Sequence, residues 1–240
     1  MDLHVKNGAT WLDIGGYSSR PGAEHISEQE EIERIRFAVS YALETYPEIQ
    51  ISVDTFQPEV AAYVLEQGVH AINDISGGTI YPELLSVVAK HRVPYILMHM
   101  RGTPQTMATL NQYQNLTQEV VVELGAQLEK AKAAGIHDVI IDPGFGFAKN
   151  SEQNLELFTR LEVFRLFDCP LLVGISRKSM IYKTLGIEAA DSLNGTTALN
   201  MLALEKGASI LRVHDVKEAV ETVTLWSKIK IGRASCRERV

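Results

Sequence analysis

Short apolar runs alternate with helix-period stretches from one end of this chain to the other, and most of the runs end in a charged or polar residue. The runs read as strands near 11–15, 50–54, 70–75, 93–98, 138–142, 170–175 and 209–213. Between them lie helical stretches near 28–46, 58–67, 81–91, 115–134, 152–163, 191–206 and 215–229. Such alternation calls for a parallel sheet with helical crossovers. The strand ends carry Asp13, Asp54, Asp74, His99, Asp142, then Ser176-Arg177-Lys178, and finally Arg212-Val213-His214-Asp215. Polar groups gathered at one end of many strands are what a barrel enzyme needs, because its site is built from the loops at that end. With 240 residues, 45% of them hydrophobic, the chain can bury one large core, and barrels of about 250 residues are single domains. The expected fold is therefore α/β, a TIM-type (β/α)8 barrel over residues 1–230. An open α/β sheet is the competing architecture.

Local signals support the helices. Ser27 and Glu30 fit a capping box before 28–46, and Ile32, Ile35, Val39 and Leu43 give that segment an apolar stripe. Pro58 stands where a missing N–H costs little. Gly68, Gly135 and Gly207 each follow a helical run, as helix stops do. Seven strands rather than eight are legible, and the chain opens on what reads as a helix tail, so the barrel is expected to lack its first strand and loop. Residues 231–240 have no apolar period and are expected to form a disordered or non-native tail.

Composition narrows the function. A net charge of -7 gives nucleic acid no general attraction. Cys169 and Cys236 are the two cysteines, too few and too far apart for a disulfide framework or a Cys-x-x-Cys metal site. Met1 to Lys6 shows no apolar signal region, and no 18-residue apolar stretch suits a membrane span. The cytoplasm is the expected compartment.

The most telling segment is Asp142-Pro143-Gly144-Phe145-Gly146-Phe147-Ala148-Lys149, after the apolar run Val139-Ile140-Ile141. An acid at the end of a buried strand, followed by a Gly-rich turn, is a common way to build a ligand site. Alone it reads equally well as a turn cap. It is joined by Asp13-Ile14-Gly15-Gly16-Tyr17-Ser18-Ser19-Arg20-Pro21-Gly22-Ala23, Ser52-Val53-Asp54-Thr55, Ile72-Asn73-Asp74-Ile75-Ser76-Gly77-Gly78, Met98-His99-Met100, and Ser176-Arg177-Lys178-Ser179 with Arg212-Val213-His214-Asp215. In this order, from Gly8 to about Ile229, the segments resemble the dihydropteroate synthases, folate-pathway transferases of the pterin-binding barrel family.

The resemblance implies a condensation of 6-hydroxymethyl-7,8-dihydropterin pyrophosphate with p-aminobenzoate, giving 7,8-dihydropteroate and pyrophosphate. It implies Asp142 at the donor edge of the pterin, where a charge-assisted double hydrogen bond is strong and directional. Asp54 and Asn73 would meet other polar edges, and Lys178 the carbonyl side. Arg212 and His214 would clamp the pyrophosphate, whose charge grows as its bond breaks. Ser19 and Arg20 lie in a loop that closes over the site in the family, and Phe147 and Ser176 would touch the aminobenzoate. Lys178, Arg212, His214 and Arg20 are thus the expected catalytic set. The family uses Mg2+ and is commonly homodimeric.

Departures accompany the match. Tyr17 stands where the family often has Glu, Ser19 where it often has Thr, and Ala148 where it usually has Gly. The family's opening Asn-Val-Thr-Pro-Asp-Ser-Phe-like segment, with a metal-binding Asn, has no counterpart here, so no metal ligand is assigned and little turnover is expected of this chain as it stands. A methyltetrahydrofolate-dependent corrinoid methyltransferase and a non-catalytic pterin-binding chain are the alternatives.

Overall fold

The computed structural model describes residues 1–20 and 24–237, with side chains to residue 230. In chain order the elements are α1 (Asp2–Lys6), β1 (Trp11–Gly15), α2 (Glu28–Thr45), β2 (Gln50–Asp54), α3 (Pro58–Glu66), β3 (Ala71–Asp74), α4 (Glu83–His91), β4 (Tyr95–Met98), α5 (Leu116–Ala133), β5 (Val139–Asp142), α6 (Ser151–Thr159), β6 (Leu172–Val173), α7 (Ser179–Leu185), α8 (Leu193–Glu205), β7 (Ile210–Leu211) and α9 (Val216–Arg237). Each described strand lies parallel to the next. β1 to β5 form one sheet, a single bridge from Ile141 to Leu171 carries the order on to β6, and β6 pairs β7.

This order never reverses. In an open doubly wound sheet it must reverse, because helices cover both faces. Here every crossover falls on the same side and the sheet curls on itself, giving an α/β barrel of TIM type and excluding the open sheet. The interior confirms the curl. Ile96, Ile140 and Leu172 pack as a cluster with Trp11 and Ile210 against it, so β1 and β7 share one layer inside the barrel. Outward side chains of the same strands, among them Ile51, Ile72, Tyr95, Leu97 and Ile141, pack under the helices in the main core.

Most expected elements are present within a residue or two. The last two strands are shorter than their apolar runs suggest, and α7 falls where the sequence shows no clear helical period. The expected capping box at α2 is half formed. Ser27 accepts from the Glu30 amide at 3.2 Å, but the Glu30 carboxylate turns to Arg34 at 2.6 Å. A complete box forms at α6, where Asn150 and Gln153 cap each other. The last helix runs on to Arg237 rather than stopping near 229. The tail expected over 231–240 therefore falls partly within α9 and, for 238–240, outside the described residues.

Candidate active site

Period 2 along a strand decides which polar residues meet. Trp11, Ile140 and Ile210 face the barrel interior, so Asp13, Asp142 and Arg212, each two residues further on, face it too, one layer nearer the C-terminal ends. In β2 and β3 the register pairs Asp13 with Ser52 and Asp54 with Asn73. Alternation and register thus bring four expected strand-end residues, Asp13, Asp54, Asp142 and Arg212, to one mouth, with Ser52 and Asn73 beside them.

Asp13 organises that mouth. Its carboxylate accepts from Ser52 Oγ at 2.7 Å, Asn73 Nδ2 at 2.9 Å and Arg212 Nε at 2.7 Å. Arg212 also reaches Asp54 Oδ2 at 3.3 Å. Its guanidinium is half-exposed, so one face remains open above the two acids. Burial first, and the Asp13 carboxylate second, push Asp54 up to about 7, against the opposing Arg212 charge. Asp13 is legible in the sequence as a strand-end acid, but the expected site residues do not include it. Its role depends on three donors from distant strands, which no local pattern reveals.

Asp142 is buried at 7% exposure, and its Oδ1 accepts from the Gly144 amide at 2.8 Å. Burial pushes its carboxyl up, opposed first by the Lys178 ammonium. Lys178 is held down to about 8 by burial, with Asp142 resisting. Its ammonium donates to the Phe145 carbonyl and lies 5.0 Å from the centre of the Phe147 ring, a cation–π contact. A carboxylate and an ammonium therefore flank the same small space, with Phe147 as its apolar edge. Phe147, with Tyr17 and Ile80, also packs against an apolar cluster of Phe56, Ile75, Met98, Met100, Met107 and Ala148.

Ser176 and His214 meet on the far side. Ser176 Oγ lies 3.0 Å from His214 Nδ1 and accepts from the His214 amide at 3.2 Å. Burial, then the Arg177 and Arg212 charges, lower the His214 pKa. Asp215, just before α9, is occupied by Arg177 Nε at 3.0 Å.

Other residues stand apart. Arg20 is exposed and Ser19 half-buried, and neither makes a hydrogen bond to the cluster among the described residues. The rest of their loop, Pro21-Gly22-Ala23, lies outside the described residues. Asp74 is on the opposite face from Asn73 and serves its own turn, accepting from Ser76 N and Gly78 N, each at 2.7 Å, and from Tyr95 Oη at 2.6 Å. His99 is fully buried and binds Lys149 and Glu123. For these two strand ends the structural explanation suffices.

Chemically, the mouth offers a carboxylate for a donor edge, a flanking ammonium, an aromatic rim, and a guanidinium with an imidazole N–H. It suits a flat heterocycle with both donor and acceptor edges that carries an anionic group. Among the described residues no three His, Cys, Asp or Glu side chains come together to hold a metal ion.

Known proteins resemble this chain in sequence as well as shape. Residues 2–214 match the family of pterin binding enzymes. The dihydropteroate synthase of Synechocystis is 45% identical over 216 residues, which is 89% of this chain and 74% of that protein. The Yersinia pestis dihydropteroate synthase, solved with a sulfonamide drug complex, superposes with a TM-score of 0.90 at 38% identity, over 95% of this chain and 83% of the other. The Xanthomonas albilineans enzyme, solved with 4-aminobenzoic acid, gives 0.89 at 35% identity, over 95% and 82%.

Proposed function

Because the chain belongs to the family of pterin-binding enzymes, we propose that it catalyses the dihydropteroate synthase reaction and that the mouth described above is its site. The observation that carries the assignment is Asp142 and Lys178 flanking one space, with Phe147 on its edge and Arg212 beyond. Asp142 takes the amino and ring N–H edge of the pterin, and Lys178 the carbonyl side. Asn73 and Asp54 meet the remaining polar edge, already oriented by Asp13 and Arg212.

In the reaction the neutral amine nitrogen of p-aminobenzoate attacks the exocyclic methylene of the pterin. A C–N bond forms as the C–O bond to pyrophosphate breaks, and the electron pair leaves with the pyrophosphate oxygen. The nitrogen then loses a proton to solvent or to the departing anion. No strong base is needed, so the protein's contribution is alignment and stabilisation of the leaving charge. Arg212 supplies a fixed positive charge there, His214 an N–H, and Phe147 and Ser176 the wall against which the aminobenzoate ring lies. Ser19 and Arg20 are assigned to the substrates from the segment after β1.

Among the described residues no three His, Cys, Asp or Glu side chains gather, and no step is routed through a metal. Mg2+ enters this proposal as the companion of the pyrophosphate, arriving with the substrate. The partners are the two small molecules. The negative net charge gives nucleic acid no attraction, and among the described residues no helix is long and apolar enough to cross a membrane. A homodimer in the cytoplasm completes the reading. The test is pyrophosphate release on mixing chain, pterin pyrophosphate and p-aminobenzoate, with and without Mg2+. Release that requires p-aminobenzoate supports the assignment. Tight pterin binding without release would leave a binding protein in its place.

A further inference from the structure

Lys149 ends the turn that begins with Asp142, yet nothing in the reaction uses it. It is buried at 8% exposure, and among the described residues no carboxylate forms an ion pair with it. Its ammonium instead directs its three hydrogens at His99 Nδ1 at 2.9 Å, the Gly144 carbonyl at 3.1 Å and the Phe147 carbonyl at 3.1 Å. Burying an ammonium among neutral acceptors is costly, and the fold keeps it down at about 7. The turn it grips is also held by Asp142, Asn154 and Lys178, which bond Gly144 N, Gly146 N and the Phe145 carbonyl, but the Gly144 and Phe147 carbonyls take their side-chain donor from Lys149. Gly144, Gly146 and Ala148 all take positive φ, and the backbone at Gly144 presses so closely on β4 that a Cβ there would lie 1.9 Å from the His99 carbonyl oxygen.

The grip is itself anchored. His99 Nε2 donates to Glu123 of α5 at 3.0 Å, which fixes Nδ1 as the acceptor for Lys149. Glu123 is held in turn by Arg101, which stacks over Tyr113 at 4.0 Å. Tyr113 Oη donates to the Ala148 carbonyl at 3.0 Å, returning to the same turn. The chain of contacts is a closed loop joining β4, α5 and the 142–149 turn.

We infer that Lys149 is a positioning residue for substrate binding, its ammonium clipping the Gly144 and Phe147 carbonyls to the end of β4 so that Asp142 and Phe147 meet the pterin and the aminobenzoate in register. This rests on the function proposed above. The two side chains that would touch substrate lie at the start of the turn and two residues before Lys149, and both of the carbonyls it holds lie between them or at Phe147 itself.

The test compares Lys149→Met, which fills the space without a donor, with Lys149→Gln, which keeps N–H donors on a side chain one bond shorter. Amide exchange is followed without ligand at Gly144 and Phe147, whose N–H groups bond within the turn, and pterin affinity is measured by calorimetry. Lys149→Met removes all three hydrogen bonds and is expected to speed exchange at these amides, and to weaken pterin binding, by about tenfold or more. Lys149→Gln is expected to stay within about threefold of the native chain in both. Unchanged exchange in Lys149→Met, equal losses in the two variants, or failure of both to fold would overturn the inference. Should the exchange pattern appear as expected while the native chain binds no pterin, the clip stands and the functional reading falls.

Discussion

Replacing Asp54 with Asn tests the electrostatic account of the mouth through stability alone. Asp54 lies beside Asp13, with Arg212 bridging the two, and its carboxyl is pushed from an ordinary 3.8 up to about 7. The folded chain therefore binds this proton more tightly than the unfolded chain does. Between about pH 4 and 7 the native state carries more protons, so stability falls as pH rises across that window, and it is flat above it. A carboxyl moved that far loses roughly 4 kcal/mol of stability from the acid to the alkaline side, at ~1.4 kcal/mol per tenfold. Asn has nearly the shape of the protonated acid and cannot ionise. Asp54→Asn should match the native chain near pH 4.5 and exceed its stability at pH 8. For a barrel of this size ~1 kcal/mol moves the thermal midpoint by about 2–4 °C, so the gap between the two proteins should widen by roughly 8 °C or more. The assay is thermal unfolding of both proteins across that pH range, with the difference plotted so that other titrating groups cancel. A difference that stays constant with pH would refute the claim that burial and Asp13 hold Asp54 protonated.

The other expectations concern binding and the strained turn. Asp142→Ala should cost on the order of 3 kcal/mol in pterin affinity by calorimetry, and much less for p-aminobenzoate, because it removes a charge-assisted pair of hydrogen bonds; an unchanged pterin affinity in a folded variant removes Asp142 from the site. His214→Ala should weaken the pyrophosphate ester about tenfold while the bare pterin stays within about threefold, the scale of one charge-assisted contact, and Arg212→Ala, which also releases Asp54, should weaken the ester more than the bare pterin; equal losses for both ligands would sink the anion-clamp assignment. Ala148→Gly should be nearly neutral, within ~1 kcal/mol, since relief of a left-handed residue offsets the lost methyl burial and the glycine entropy. The same exchange at Ala131, buried inside α5, should cost ~2 kcal/mol with nothing to offset it, and urea denaturation giving equal losses at the two sites would contradict the strain at Ala148.

The alternation of strands and helices, α7 apart, and the strand-end carboxylates are legible along the chain, because each depends on local periodicity, a property of neighbouring residues. The barrel is separated from an open sheet only by the order in which the strands pair. Period 2 already implies that Asp13, Asp54, Asn73, Asp142 and Arg212 share the inner face. It does not say which polar strand ends remain available to a ligand. Asp74 reads like Asp54 in the sequence, but it stands one residue out of phase with Asn73, and three donors from its own turn and from Tyr95 consume it. Asp13 becomes the hub of the mouth only when β2, β3 and β7 bring Ser52, Asn73 and Arg212 to it. The Ser27 cap at α2 is local and forms, whereas Glu30 is drawn away by Arg34, four residues along. In the sequence Lys149 is simply the end of a Gly-rich turn, and only the packing of that turn against β4 buries its ammonium among carbonyls. Residue type and spacing determine the elements and the face each side chain takes. Which groups pair, which are buried and which stay open is decided by long-range packing, because hydrogen-bond partners and desolvation come from strands far away in the chain.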